Sequence, residues 1–183
     1  MTLPSIVTSL LMQHSPPEAK PLPSTWQLLP VDIDIHHYRR LYRLVGDEYR
    51  WTDRLKMSDD DLDAILQHPL VRVVVLRNGD VDVGYYELDA RRDGWVQLAY
   101  FGLAPDVVGK GGGRAFLHAA LHDAWRWRRE LWPDNHDAHE HGVWVHTCTL
   151  DHPLALPLYE SCGFMAYAKG PKEVHPAEAA RRR

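Results

Sequence analysis

Cysteine is scarce in this chain of 183 residues: Cys148 and Cys162 are the whole supply. Two thiols cannot form a disulfide scaffold, and such sparing use fits a reducing compartment, with both side chains read as small buried hydrophobes. Basic charge is not in excess either. Twenty-one Lys and Arg face 25 Asp and Glu, a formal charge of -4, which argues against a general nucleic-acid binder. No apolar run approaches the ~20 residues of a membrane span. The opening stretch M-T-L-P-S-I-V-T-S-L-L-M-Q-H lacks a basic leader and is interrupted by Pro4, so no signal peptide is expected and the location expected is cytoplasmic.

The remaining composition is that of an ordinary folded protein, 45% hydrophobic and 25% charged, long enough for one domain with its own core. Prolines concentrate before residue 24, so residues 1–24 are expected to be an extended arm open to a dimer contact. Residues 25–169 form the expected domain and residues 170–183 a solvated tail. Trp26 to Ile33 reads as a strand. From His36 to Trp51, Tyr38, Leu41, Tyr42, Val45 and Tyr49 recur at helical spacing. Ser58 precedes Asp59, Asp60 and Asp61, a helix start in which the hydroxyl caps amides and the acids meet the positive end. V-R-V-V-V-L and V-D-V-G-Y-Y-E-L-D are strands turning at Asn78-Gly79. A further turn at Asp93-Gly94 leads into W-V-Q-L-A-Y-F-G-L.

That third strand runs into Gly109, Gly111, Gly112 and Gly113, four glycines within five residues. A helix follows, with Leu117, Ala120, Leu121 and Ala124 on one face and Arg114, His118, His122 and Arg126 on the wet one. Glycines permit positive φ and close ligand approach, and the first amides of a helix are unpaired and carry positive potential. An anion such as a diphosphate suits this junction. Spacing excludes two common phosphate loops. Lys110 is followed by Gly111 rather than Ser or Thr, so the magnesium hydroxyl of a Walker loop is missing. The glycines read G-x-G-x-G rather than the G-x-G-x-x-G of a dinucleotide fold, and no acidic residue stands where a ribose partner would.

The segment V-G-K-G-G-G-R resembles the R/Q-G-x-G-x-G/A pyrophosphate loop of the GNAT superfamily of acyl-CoA N-acyltransferases, with Val108 in place of the usual Arg or Gln. L-D-H-P-L-A-L-P-L-Y-E-S-C-G-F, from Leu150 to Phe164, is similar to that family's N-x-x-A-x-x-L-Y-E-x-x-G-F segment, with His152 where Asn is usual. The resemblance extends from about Trp26 to Tyr167. It implies an α/β (α+β) fold, a mixed and mostly antiparallel sheet of six to seven strands flanked by helices and splayed between the family's fourth and fifth strands.

It also implies acetyl-CoA as cosubstrate. The pantetheine arm would lie along Phe101, Gly102 and Leu103, and the diphosphate on Val108, Gly109, Lys110, Gly111, Gly112, Gly113 and Arg114, with His152 nearby. Tyr159 would protonate the departing thiolate from a position at a helix start. An alkylamine with pKa ~10.4 costs about 4.6 kcal/mol to deprotonate at pH 7, so a base is needed. On V-W-V-H-T-C-T, His146 shares a face with Trp144 and Cys148. Glu87 is the rival, and Asp151 and His152 are further candidates. The acceptor is an amine, either a small molecule or a peptide. A catalytically silent acyl-CoA sensor is the alternative function. The run P-D-N-H-D-A-H-E-H-G, containing His136, His139 and His141, reads as a solvated loop rather than a metal site.

Overall fold

In a computed structural model of the chain, which describes residues 5–16, 21–92, 94–133 and 141–180, strand β1 (Val7–Met12) is followed by β2 (Trp26–Pro30) and helix α1 (Ile35–Gly46). The Asp34 carboxylate caps α1 by accepting from the backbone N–H groups of His36 and His37, each at 2.9 Å. Short helix α2 (Asp53–Lys56) precedes α3 (Asp59–Leu66), where the Ser58 hydroxyl accepts from the Asp61 N–H at 3.2 Å. The acidic run is thus a helix start.

Three antiparallel strands come next: β3 (Val71–Asn78), β4 (Val81–Arg92) and β5 (Trp95–Leu103). Asn78 pairs with Val81, so the hairpin turns on Gly79 and Asp80, one residue later than expected. Gly79 takes φ 59° at the first central position, where a type II′ turn requires positive φ. The chain continues through α4 (Gly113–Leu131), β6 (Gly142–Cys148), α5 (Ala155–Ser161), β7 (Met165–Gly170) and α6 (Pro176–Ala180).

All seven strands form one sheet in the order β2-β3-β4-β5-β6-β1-β7. Among the described residues only β5 and β6 pair in parallel, joined by the crossover helix α4. The architecture is the mixed, mostly antiparallel α/β arrangement expected. Helix α4 covers one face through Phe116, Leu117, Ala120, Leu121 and Ala124, which join Leu88, Leu98 and Val145 in the larger core. Helices α1 and α3 cover the other, where Tyr38, Leu41, Tyr42 and Leu62 meet Val75 and Tyr85.

Three expectations fail, each because a long-range contact overrides a local signal. Residues 7–12, placed in an extended arm, form β1, which pairs antiparallel with β6 on one side and β7 on the other. Val7, Leu10 and Met12 are buried, and Ser9 is buried with them. His118, assigned to the wet face of α4, is 7% exposed, because a wide surface of this helix is covered. The stretch after residue 170 is not a solvated tail as far as residue 180. His175 is buried, with its ring edge-on to Trp144 at 5.3 Å and to Trp95 at 6.1 Å. Most of the histidine-rich run, residues 134–140 with His136 and His139, lies outside the described residues, as do 17–20, Asp93 and 181–183. His141 is buried.

The role of β1 is measurable. Leu10 is 0% exposed, so Leu10→Ala is expected to cost about 2–5 kcal/mol in denaturant unfolding. A change within about 0.5 kcal/mol would mark the segment as peripheral.

Candidate active site

The site begins where two strands part. β5 and β6 hold only three paired positions, Trp95 with Gly142, Val96 with Val143 and Gln97 with Trp144. Immediately beyond them the β4 register shifts: Leu88 faces Leu98 while Glu87 faces Tyr100, leaving Ala99 as an extra residue in β5. Such a bulge bends and twists its strand. β5 is carried away from β6, whose other side remains paired with β1 from Val7 to Met12. A cleft of about 730 Å³ opens between them, bounded by β5 from Gln97 to Leu103 and by Val145, His146 and Cys148 of β6. From Leu98 onward, β5 has no ladder partner on this side among the described residues.

At the far end of β5 lies the glycine loop, where the four glycines have different tasks. Gly109 and Gly111 take φ 79° and 87°, and a Cβ at either would meet nothing within 4 Å; their need is conformational and they face open space. Gly112 has no such φ. A Cβ there would collide with the Trp26 ring, so packing of β2 excludes a side chain. The first bond of α4 at this junction runs from the Phe116 N–H to the Gly112 carbonyl at 2.9 Å. The N–H groups of Gly113, Arg114 and Ala115 therefore lie ahead of the helical ladder, at its positive end. Arg114 donates to the Ser161 carbonyl at 3.4 Å, tying this helix start to α5.

Tyr159 is held by the end of α5, not by its start as expected. Phe164 N–H bonds to the Tyr159 carbonyl at 3.2 Å and Gly163 N–H to the Glu160 carbonyl at 3.0 Å, with Gly163 at φ 103°. This is a Schellman closure, whose usual hydrophobic contact is here the edge-on packing of Phe164 on Tyr159 at 5.8 Å. The spacing Y-E-S-C-G-F thus has a mechanical meaning: a glycine stops the helix, and the next aromatic fixes the tyrosine ring. Tyr159 also meets Phe101 of β5 at 6.5 Å and lines the cleft. Burial, reinforced by the Asp151 carboxylate, pushes its phenol well above the usual range, so it carries its proton at neutral pH.

The candidate bases have different surroundings. His146 lines the cleft, with Nδ1 3.4 Å from the Gln97 amide on the facing strand. Glu87 is 0% exposed and outside the cleft lining. One carboxylate oxygen accepts from Arg54 Nη2 and the other from the Tyr38 hydroxyl. Burial raises its carboxyl, opposed by the Arg54 charge and the Tyr38 hydrogen bond. A carboxylate enclosed in this way has no route to a substrate proton, which argues against the expected role of Glu87.

Asp151 is similarly engaged. It accepts from Thr147 Oγ1 and the Cys148 N–H, each at 2.8 Å, and from Trp51 Nε1 at 3.0 Å. This joins the loop after α1 to the exit of β6. Beside it the His152 ring packs edge-on against Tyr49 at 6.1 Å, while its Nδ1 accepts from the Leu154 N–H at 3.1 Å.

The structure therefore brings Phe101, Gly102, Leu103, Val108, Gly109, Gly113, His146, His152 and Tyr159 to one cleft. Lys110, Gly111, Gly112 and Arg114 belong to the loop at its edge. Tyr49 and Trp51, which the resemblance implies as part of an acceptor wall, also line it, and so do Arg54 and Gln97, which were missed because each is defined by a partner remote in sequence. Among the described residues, no three His, Cys, Asp or Glu side chains are grouped to hold a metal. No helix among them is long and apolar enough to cross a membrane.

Residues 38–164 match the acetyltransferase (GNAT) family, and the chain belongs to that family. Solved structures with the same fold include a GCN5-related N-acetyltransferase from Kribbella flavida, at 16% identity and a TM-score of 0.54, matched over 89% of this chain and 54% of that one. An aminoglycoside acetyltransferase from an uncultured soil metagenomic sample gives 15% identity and a TM-score of 0.57, over 82% of this chain and 93% of that one. The IAA acetyltransferase from Bacillus cereus gives 19% and 0.54, over 78% and 79%. The chain spans little more than half the length of the Kribbella protein. No curated protein sequence matches it.

The enclosure of Glu87 has a clear consequence. Glu87→Gln leaves the buried Arg54 charge uncompensated and is expected to destabilise the fold by about 3–5 kcal/mol, read from chemical denaturation. A variant of wild-type stability that had lost only turnover would identify Glu87 as the base after all.

Proposed function

We propose that the chain is an N-acetyltransferase that moves the acetyl group of acetyl-CoA directly to a primary amine in a ternary complex. The observation that carries this reading is the convergence, in one cleft, of an unpaired β5 edge, the open amides at the start of α4 and the protonated phenol of Tyr159. The free edge from Leu98 to Leu103 suits the amide groups of a pantetheine arm, which would add to it like a strand. The amides of Gly109, Gly111, Gly112, Gly113 and Arg114 suit the diphosphate, an anion at a helix start being favoured by roughly 0.3–2 kcal/mol. Val108 supplies no polar side chain, and Lys110 and Arg114 provide positive charge in its stead.

In the transfer, the amine nitrogen bonds to the thioester carbonyl carbon and the carbon–sulfur bond breaks. Tyr159 donates its proton to the departing sulfur, while the amine proton passes to His146, directly or through water. For that role the Gln97 side chain beside Nδ1 must present its carbonyl oxygen to Nδ1–H, which leaves Nε2 as the acceptor nitrogen. The family membership supports an amine, carried by a small molecule or a peptide, as the acceptor.

A catalytically silent acyl-CoA sensor is the second reading, favoured by Val108 at the loop's first position. Release of free thiol from acetyl-CoA across an amine panel separates the two. An acetyltransferase releases thiol in step with an amine; a sensor binds coenzyme and releases none. Tyr159→Phe is expected to lower kcat by about 10²-fold or more while the Kd for CoA stays within about twofold. Equal loss in both would assign Tyr159 to packing.

A further inference from the structure

The acceptor side of the cleft contains a buried arginine that the transfer step does not use. Arg54, at the second position of α2, is 6% exposed yet lines the cleft beside Tyr42, Trp51 and Tyr100. Its guanidinium is held on two sides. Nη2 donates to Glu87, itself fixed by the Tyr38 hydroxyl, and Cζ lies 5.2 Å from the centroid of the Tyr100 ring. Nη1 reaches only the Met57 sulfur, at 3.7 Å. Nε is buried and has no hydrogen-bond partner among the described residues.

A buried ion pair adds little to stability compared with apolar side chains of the same volume, and an unmet buried donor subtracts from it. Here both are found together in a wall of the cleft, surrounded by aromatic rings that keep the guanidinium in one orientation. Such a group is a preorganised donor for an oxygen ligand. Arg91, bidentate on Asp89, also lines this cleft, adding a second cation already neutralised by its own carboxylate. Each arginine carries a paired acid, so a doubly charged phosphate would meet repulsion from Glu87 and Asp89. A singly charged carboxylate is better matched.

We propose that Arg54 receives a carboxylate carried by the acceptor, so that the amine substrate is an amino acid or a related amino carboxylate. This rests on the acyltransferase reading for the transfer itself, but the binding of the carboxylate is separable from turnover. Glu87 and Tyr38 act as positioning residues for Arg54, and the Tyr100 ring packs beside its guanidinium.

The test is calorimetric binding to the full-length, CoA-saturated protein of matched amines differing only in the carboxylate: phenylalanine and phenethylamine, tryptophan and tryptamine, lysine and cadaverine. At least one amino acid is expected to bind about tenfold or more tightly than its decarboxylated partner. That preference should disappear in Arg54→Gln. Should Arg54→Gln fail to fold because Glu87 is left unpaired, the double variant Arg54→Met, Glu87→Leu removes both charges and must also abolish the preference. Tighter or equal binding of the decarboxylated amines, absence of binding by every amino acid, or a preference that survives in the folded variant overturns the proposal. Thiol release measured on the same pairs reports separately on acyl transfer. Discrimination in binding without thiol release would keep the Arg54 site while refuting transfer.

Discussion

One extra residue in a strand governs the site. Because Ala99 is bulged out of the β4–β5 register directly after the last β5–β6 pair, two parallel neighbours that begin as a ladder end as the walls of a cleft. A regular β5 would continue pairing with β6 and leave no channel. The cost of the divergence is a row of peptide groups without sheet partners, and the same row makes a docking edge. β6 tolerates the loss because β1 pairs along its opposite side, and β1 is in turn secured by β7. The N-terminal strand is therefore part of the support for the cleft, although it contributes little to its chemistry.

Around this opening, separate devices fix separate tasks. Positive φ at Gly109 and Gly111 shapes the loop, while the Trp26 ring explains Gly112 by packing alone. The Schellman closure at Gly163 fixes Tyr159 through its carbonyl and its ring. Asp151 links the α1 side of the cleft to β6 through Trp51. The Arg54 and Glu87 pair sits among tyrosines, and Trp51 packs against one of them, Tyr100.

Much of this could be read locally. The Ser58 cap, the β3–β4 hairpin and the strand–glycine–helix junction each depend on residues close in sequence, and those expectations needed at most a one-residue adjustment, whereas the helical spacing read from His36 to Trp51 gives a helix that ends at Gly46. Long-range pairings were illegible. β1 looks like a segment next to prolines until β6 and β7 are placed beside it. Glu87 alternates correctly on its strand, but its enclosure comes from Arg54, 33 residues away, and Asp151 is defined by Trp51, 100 residues away. The Y-E-S-C-G-F spacing was recognised through resemblance, yet its physical content, a helix end rather than a helix start, emerged only from hydrogen-bond geometry.

The central claim is that peptide N–H groups between Gly109 and Arg114, at the end of the freed β5 edge, receive the coenzyme's diphosphate. The most direct measurement is an amide-resolved NMR titration of the 15N-labelled protein with CoA. The account predicts that the largest downfield N–H shifts fall on Gly109, Gly111, Gly112, Gly113 and Arg114, with smaller changes along Leu98 to Leu103. Binding that leaves these amides unmoved and perturbs another surface would contradict it.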